Sequence, residues 1–404
     1  MRREGVGFRG YAYESEDRGE LMGKVTLPGM ADPAGALLPG VSLLRAGDPT
    51  WDESLVAVPR SVFHSAGYHL YTRGLGWGEP FLAIVGDAAQ GLAWPYLLRP
   101  IADVQGLEGS GATDVSSVYG YPGPLAWGCA PNDPFVEQAW SLIVETWRRQ
   151  GAVSAFTRFN PLLENAALAL HLSVGGDDGG QGVIAAGPTV SVDLGLSDEA
   201  VHSGYRRDLN RQIAAGRRAG LTTVHDEAWD HLSTFTRLYH ETMARLGASE
   251  FYYFSEDDFR RLRSSLGGDL HLLVTLKDSV VAAAGLFIEY EGDVEWHLVG
   301  ANALLRDLSP SKVLVDDSIR WARDRGNRIL HLGGGRGGRE DSLFWFKSRF
   351  SPRRHQFHTG RWILEERRYA ELDAARRATL PASAGHDPDF FPAYRAALIA
   401  DHPR

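Results

Sequence analysis

The stretch "HLGGGRGGREDSLFWFKSRFS", His331 to Ser351, decides how the rest of this sequence is read. Five of the six positions from 333 to 338 are glycine, between a short apolar run, "RILHL", and a helix-like run holding Lys347, one of only four lysines. Gly333, Gly335 and Gly338 satisfy G-x-G-x-x-G in the strand-to-helix context that a dinucleotide fold requires. Only about 65 residues follow, however, and no acidic residue ends a second strand about 20 positions on. No Gly-Lys-Ser/Thr follows either, which excludes a nucleoside-triphosphate loop. Three roles remain for Gly333, Gly334 and Gly335. They turn backbone N–H groups toward an anion at a helix start, let a substrate approach the main chain, or simply make a tight connection. If the helix begins near Asp341, then Phe344, Lys347 and Ser348 share one face, which sets the ammonium beside the glycines.

Around this segment lies a local charge imbalance. Residues 336 to 368 carry nine Lys/Arg, beginning with Arg336, against four acids, so the segment is either a rim that meets a polyanion or a solvated face. The whole chain is acidic, with net charge −9 over 404 residues, which excludes the strongly basic, nucleic-acid-coating class.

Working back from the glycines, "SPSKVLVDDSIRWARDRGN" reads as a helix opened by Ser-Pro. "DLHLLVTLKDSVVAAAGLFIEYEGDVEWHLVGA" reads as antiparallel strands turning at Lys277-Asp278 and Glu291-Gly292. Two helices precede it, "AWDHLSTFTRLYHETMARLG" and "SEDDFRRLRSSLGG". Before them a single helix, "DEAVHSGYRRDLNRQIAAGRRAG", is predicted with Ser197 as N-cap, a stop at Gly220, and Arg207, Arg211 and Arg218 on one face. The first part of the chain shows a similar alternation, with strands "PFLAIVGD", "GLAWPYLLRP" and "VSAFTRF" and a helix "DPFVEQAWSLIVETWRRQG". The expected organisation is an extension over 1–50, mixed α/β units over 51–185 and 186–370, and a tail over 371–404 with the first unit as its docking surface.

One cysteine, Cys129, excludes an intrachain disulfide and any cysteine-cluster metal site, and fourteen histidines show no metal-ligand spacing, so no metal is expected. With no long apolar run and no apolar segment at the start, a cytoplasmic protein without membrane insertion is expected.

The quoted segment resembles the C-terminal signature of the Fem-like peptidyltransferases, in which a strand and Gly-rich loop precede a helix carrying Phe-Lys. "YRRDLNRQIAAGRRAGL" is similar to that family's basic helix, "FYYFSEDDFRRL" to its aromatic block, and "HLLVTLKDSVVAAAGLFIEY" to its central hairpin. The likeness covers roughly residues 60 to 370. It implies two tandem GNAT-like acyltransferase domains with mixed, largely antiparallel sheets, the first on the acceptor side and the second on the donor side. It also implies transfer of an amino acid from aminoacyl-tRNA to an amine, with no cofactor beyond that co-substrate. Lys347 then supports the ester carbonyl as it becomes an oxyanion, and Phe346 shapes the wall. Two departures matter. The family's Pro-Arg-Gly-Pro motif with a following aspartate is replaced by Tyr121-Pro122-Gly123-Pro124-Leu125-Ala126-Trp127, without an acid, and its Pro-x-Trp block with a lysine is missing near "VPRSVFHSAGYHLYTR". A small-molecule amine is therefore expected as acceptor in preference to a murein precursor.

Such aminolysis needs orientation, a neutral amine and oxyanion stabilisation, but no covalent nucleophile. Arg207 and Arg211 are candidates for gripping a carboxylate or phosphate, or else a solvated helix face. Tyr252 and Tyr253 are candidates to line the acceptor cleft, at most one of them facing it, or else part of the core, and Tyr119 and Tyr121 have the alternate spacing to project together from the Gly/Pro loop. Asp114, His64 and His69 are candidate proton acceptors, or else serve capping and turn hydrogen bonds. An acyl-CoA donor on the same fold and a non-catalytic binding protein are the alternatives; the pyrophosphate-loop pattern of CoA-dependent members fits neither "RGNRIL" nor "RGGRED".

Overall fold

The computed structural model describes residues 38, 40–174, 182–380, 385–386, 390–396 and 398–399. The expectation for 1–50 and that of a loop around 175–181 fall largely outside these residues.

Thirteen strands form one continuous sheet. In chain order they are β1 (Val41–Arg45), β2 (Glu79–Gly86), β3 (Gly91–Pro100), β4 (Thr113–Ser116), β5 (Leu125–Trp127), β6 (Ala152–Arg158), β7 (Gly182–Asp193), β8 (Leu221–His225), β9 (Leu270–Lys277), β10 (Val280–Tyr290), β11 (Asp293–Ala301), β12 (Ile329–Gly334) and β13 (Arg354–Ile363). Across the sheet the order is β1-β2-β3-β4-β6-β13-β7-β12-β11-β10-β9-β8, with β5 paired to β3. β1, expected in the extension, is thus an edge strand.

That order is two copies of one pattern, joined back to back. In the first half β1, β2, β3 and β4 pair antiparallel in succession, β4 pairs parallel with β6, and β6 pairs antiparallel with β13. In the second half β8, β9, β10 and β11 repeat the antiparallel run, β11 pairs parallel with β12, and β12 pairs antiparallel with β7. A helix makes each parallel crossover, Pro134–Arg149 in the first half and Pro310–Asp324 in the second. The last strand of each half is exchanged. β7, following the first half in sequence, completes the second; β13, following the second, completes the first; and the two pair with each other at the centre.

In both halves the parallel pair parts after a few residues. β11 and β12 are in register only from Asp293/Ile329 to Glu295/His331. Beyond that point β11 stays with β10 to Ala301 while β12 stays with β7 to Gly334. β4 ends at Ser116, while β6 runs on against β13 to Arg158.

Both crossover helices follow from local signals. The Asp133 carboxylate accepts the Phe135 N–H at 2.9 Å and Pro134 opens the first helix; Pro310 opens the second. The first helix sets Trp140 and Trp147 against Trp94 and, from the exchanged strand, Trp362. The second buries Val313, Leu314 and Ile319 against its own half. A third apolar cluster belongs to both halves, joining Phe63, Tyr68 and Val118 to Phe235, Phe259 and Leu286. Within it helix Ala66–Gly74 lies so close to helix Glu256–Leu266 that a Cβ on Gly67 would stand 2.4 Å from the Ser265 carbonyl oxygen. Gly67→Ala is expected to cost about 1–3 kcal/mol of stability, read as a lower urea midpoint with an unchanged slope.

The predicted single helix over 198–220 is two, Asp198–Ser203 and Leu209–Arg218. Between them the Arg206 N–H donates to the Arg349 carbonyl at 2.9 Å, so a long-range backbone bond turns the chain where local propensity would continue. The tail docks on the first half: the buried Tyr394 hydroxyl meets Ser154 Oγ at 2.8 Å, and Arg395 Nε donates to Asp114 at 2.5 Å. Among the described residues no helix is long and apolar enough to cross a membrane.

Candidate active site at the junction of the halves

Polar side chains from both halves meet beside the parting of β11 and β12. Lys347, in helix Ser342–Lys347, donates from Nζ to the Gly334 carbonyl at 2.7 Å and sits 5.4 Å from the centroid of the Trp296 ring. Burial lowers its pKa to about 8, partly countered by the Glu295 and Asp341 carboxylates. An ammonium has three donors, so two remain for a substrate.

Gly333 explains why glycine is needed beside it. Its φ is +75°, and a Cβ there would lie 3.2 Å from Lys347 Nζ and 3.4 Å from the Tyr121 hydroxyl. The ammonium and the phenol therefore face one small space across a bare stretch of main chain. Burial pushes the Tyr121 phenol up to about 12, so it remains a donor at neutral pH. Gly333→Ala is expected to reduce turnover about tenfold or more through strain and lost space, with thermal stability changing far less than activity.

A fixed polar chain stands behind this pair. His331 is hydrogen-bonded through Nδ1 to the Glu295 carboxylate at 2.8 Å and through Nε2 to the Thr189 hydroxyl at 2.9 Å. Its ring packs 5.2 Å from that of Tyr121. Tyr119 packs against Tyr252 at 6.0 Å and His297 at 6.1 Å. Burial lowers the His297 imidazole to about 4, leaving it neutral at pH 7. Arg158, at the end of β6, is half-buried, its guanidinium 4.9 Å from the Phe156 ring centroid and its Nη1 3.5 Å from Ser117 Oγ.

Of the residues selected from sequence, Lys347, Gly333, Gly334, Tyr119, Tyr121 and Tyr252 come together here. Phe346 lies behind them, 6.1 Å from Trp296. Tyr253 points away, exposed and packed on His240. Gly335 is part of the loop's frame, since a Cβ on it would strike the Arg339 carbonyl oxygen at 2.0 Å. The anion-cradle reading of the loop is corrected. The helix start is occupied by Asp341, whose Oδ1 accepts the N–H groups of Leu343 and Phe344, both at 3.1 Å, while its Oδ2 holds Arg336 Nε at 2.8 Å. Arg336 is thereby a brace for the loop, bonded also to the Leu246 carbonyl. Arg207 and Arg211 are exposed and contribute no hydrogen bond to the cluster.

The three candidate proton acceptors also have other roles. Asp114 is fully buried and accepts from Arg99 at 2.7 Å and from Arg395 at 2.5 Å. His64 and His69 are buried, lowered to about 3 and about 4 by desolvation, and held through Nδ1 by Ser61 and by the Ser65 carbonyl. His297 and Arg158 were not singled out from sequence. Their signal was a histidine and an arginine inside the apolar strands "VEWHLVG" and "VSAFTRF". Among the described residues no group of three His, Cys, Asp or Glu is placed to hold a metal ion.

Residues 203–341 match the family described as acetyltransferase (GNAT) domain. The crystal structure of FemX superposes with a TM-score of 0.58 at 12% identity, covering 82% of this chain and 99% of that one. This is a FemX-type fold built on GNAT units. L-PGS from Bacillus licheniformis follows with a TM-score of 0.47 at 13% identity, covering 82% of this chain and 96% of that one. A tandem GNAT protein from the clavulanic acid biosynthesis pathway gives 0.42 at 11% identity, covering 80% and 98%. No curated protein matches the sequence. In the GNAT-type second half the cluster occupies the gap where β11 and β12 part, with Lys347 and Gly333 at its edge.

Proposed function

We propose that this chain is an amide-forming aminoacyltransferase that moves an amino acid from aminoacyl-tRNA to the primary amine of a small molecule. The observation that carries this reading is the half-buried Lys347 ammonium on the Gly334 carbonyl, facing the Tyr121 hydroxyl across Gly333. The acceptor amine attacks the ester carbonyl, a C–N bond forms, and negative charge collects on the carbonyl oxygen, where the ammonium and phenol donate. As the intermediate collapses the ester C–O bond breaks, the ribose oxygen leaves and takes up a proton, and the amine nitrogen gives one up.

Only the acceptor end of the tRNA need enter, which suits an acidic protein with a local basic segment after residue 336. The departures at Tyr121–Trp127 favour a specialised-metabolite amine over a cell-wall precursor as acceptor. The test supplies purified protein with labelled aminoacyl-tRNAs and acyl-CoAs and a panel of amines, with ribonuclease in half the tubes. Transfer abolished by ribonuclease supports the proposal and names the amino acid. Ribonuclease-resistant transfer from a CoA thioester replaces it with a CoA-dependent N-acyltransferase, and no transfer with retained amine binding leaves a binding protein.

A further inference from the structure

Among the described residues no carboxylate forms an ion pair with Lys347, and the one hydrogen bond of its ammonium goes to the Gly334 carbonyl at 2.7 Å. The two carboxylates whose fields reach it are engaged elsewhere, Asp341 by the helix start and Arg336, Glu295 by His331. His331 itself is held between Glu295 and Thr189. What faces the ammonium directly is the Tyr121 hydroxyl, across Gly333, and the ring of Trp296, its centroid 5.4 Å from Nζ. Trp296 follows Glu295, the last residue of β11 in register with β12, so its indole lies where the two strands part. It is 8% exposed, and its Nε1 is buried without a hydrogen-bond partner. The indole is therefore oriented by packing. A line of rings sets it: Phe346 at 6.1 Å, Phe350 at 5.5 Å from Phe346, and Tyr205 at 5.5 Å from Phe350, with the Tyr205 hydroxyl donating to the buried Asp316 at 2.8 Å. An unsatisfied buried N–H is a cost that phenylalanine or leucine would avoid at this position. What the indole has and they lack is the ring face most attractive to a cation.

We propose that Trp296 is a positioning residue for Lys347: its ring, fixed by that line of aromatics, holds the ammonium charged beside Gly333 and leaves its donors to the substrate. The inference rests on the transferase reading for what the ammonium does there, though not for the hold itself. A carboxylate in the same place would bind the ammonium more firmly, but it would occupy N–H groups and cancel the charge that a developing oxyanion needs. The quadrupole of a ring does neither, and its pull grows where water is excluded. The strand parting makes the arrangement possible. Past His331, β12 stays with β7 while β11 stays with β10, so the indole enters the gap from β11 and Lys347 reaches it from the helix after β12. Burial draws the Lys347 ammonium down to about 8. The ring acts against that trend, because it favours the charged form, so weakening the ring should make Lys347 lose its proton at lower pH.

With only four lysines in the chain, the Lys347 titration can be read directly by carbon-13 NMR of protein labelled at lysine Cε, the signal being the one missing from Lys347→Met. Wild type is compared with Trp296→Phe and Trp296→Leu. Wild type and Trp296→Phe are also made with 5-fluorotryptophan at every tryptophan, which weakens the negative ring face with little change of shape. Trp296→Leu should lower the midpoint by about 0.4–1.5 pH units, and Trp296→Phe by less. Fluorination should lower it by about 0.2 pH units or more in wild type and leave Trp296→Phe unmoved, which separates this ring from the other tryptophans. The fluorination arm decides, because it leaves the packing in place even if the leucine variant fails to fold. A ring that only keeps water away predicts no response to fluorine, and an upward move in Trp296→Leu as the charge is hydrated. A wild-type midpoint that ignores fluorination, or a fluorine shift that persists in Trp296→Phe, overturns the proposal. With the donor that the ribonuclease assay identifies, the basic limb of kcat/KM should move down with the midpoint on fluorination; a limb that stays put while the midpoint moves overturns the positioning role. If no donor supports transfer, the transferase reading fails and the NMR midpoint still decides the hold.

Discussion

Lys347→Met is expected to lower kcat/KM about 100- to 1,000-fold, the range seen when one donor to a developing oxyanion is removed. The fold should survive the change, because the ammonium is a burden to the native state. Burial lowers its pKa from 10.5 to about 8 in the folded protein, so the folded state disfavours the charged form. That penalty is fully present below about pH 8 and is relieved as the pH climbs toward 10.5, where the unfolded chain also loses its proton. Methionine removes the penalty. At pH 7 the variant should equal or exceed wild type in stability, by at most about 3 kcal/mol, less what the lost bond to Gly334 and water in the cleft subtract. A pH series separates the chemistry as well. If Lys347 works as a cation, wild-type turnover falls as pH rises through about 8; if it works as a base, turnover rises there. Equal turnover in wild type and Lys347→Met would remove the residue from the mechanism.

The second large effect concerns how the tail is held. Asp114→Ala is expected to cost about 3–5 kcal/mol, because it leaves Arg99 and Arg395 beside each other with no carboxylate between them. The loss should show as a Tm lower by several degrees and as protease cleavage near residues 390–396, whose anchors are Arg395 and Tyr394. Adding Arg395→Met to the alanine variant should restore part of the stability, since a buried charge is then removed with its partner. A single Asp114→Ala variant as stable as wild type would show that the tail is held by Tyr394 and its apolar neighbours alone.

Local signals in the chain carried much of this architecture. The helical stretch from Asp133, the Ser-Pro start at 309–310 and the Glu291–Gly292 turn each placed an element correctly, because each acts through its own few residues. The turn expected at Lys277-Asp278 centres one residue later, on Asp278 and Ser279, both with positive φ. What local reading missed was long-range. The bond from Arg206 to Arg349 that splits one helix into two spans over a hundred residues, and so does the pairing of β13 with β6. The site divides the same way. Lys347 and the glycines stood out by rarity and crowding, and Tyr119 with Tyr121 by spacing. Arg158 and His297 did not, because a polar residue in an apolar strand acquires meaning only from what the opposite half brings against it.

The exchanged strands bear on how substrates get in. A cleft between two lobes usually widens by hinge motion at a few linker residues. Here the lobes share a backbone ladder: β13 is bonded to β6 over Thr359–Ile363 and to β7 over Arg354–Arg361, so opening the lobes would mean unzipping the middle of the sheet. The jaw is welded. Its gape is set by main-chain hydrogen bonds, and what remains free to yield is the rim, where residues 246–253 carry Phe251 onto Trp77 and Tyr252 onto Tyr119. At that rim the packing is ring on ring, Trp77 with Phe251 at 4.5 Å and Tyr119 with Tyr252 at 6.0 Å, so side-chain rotation there disturbs no main-chain bond of the central ladder.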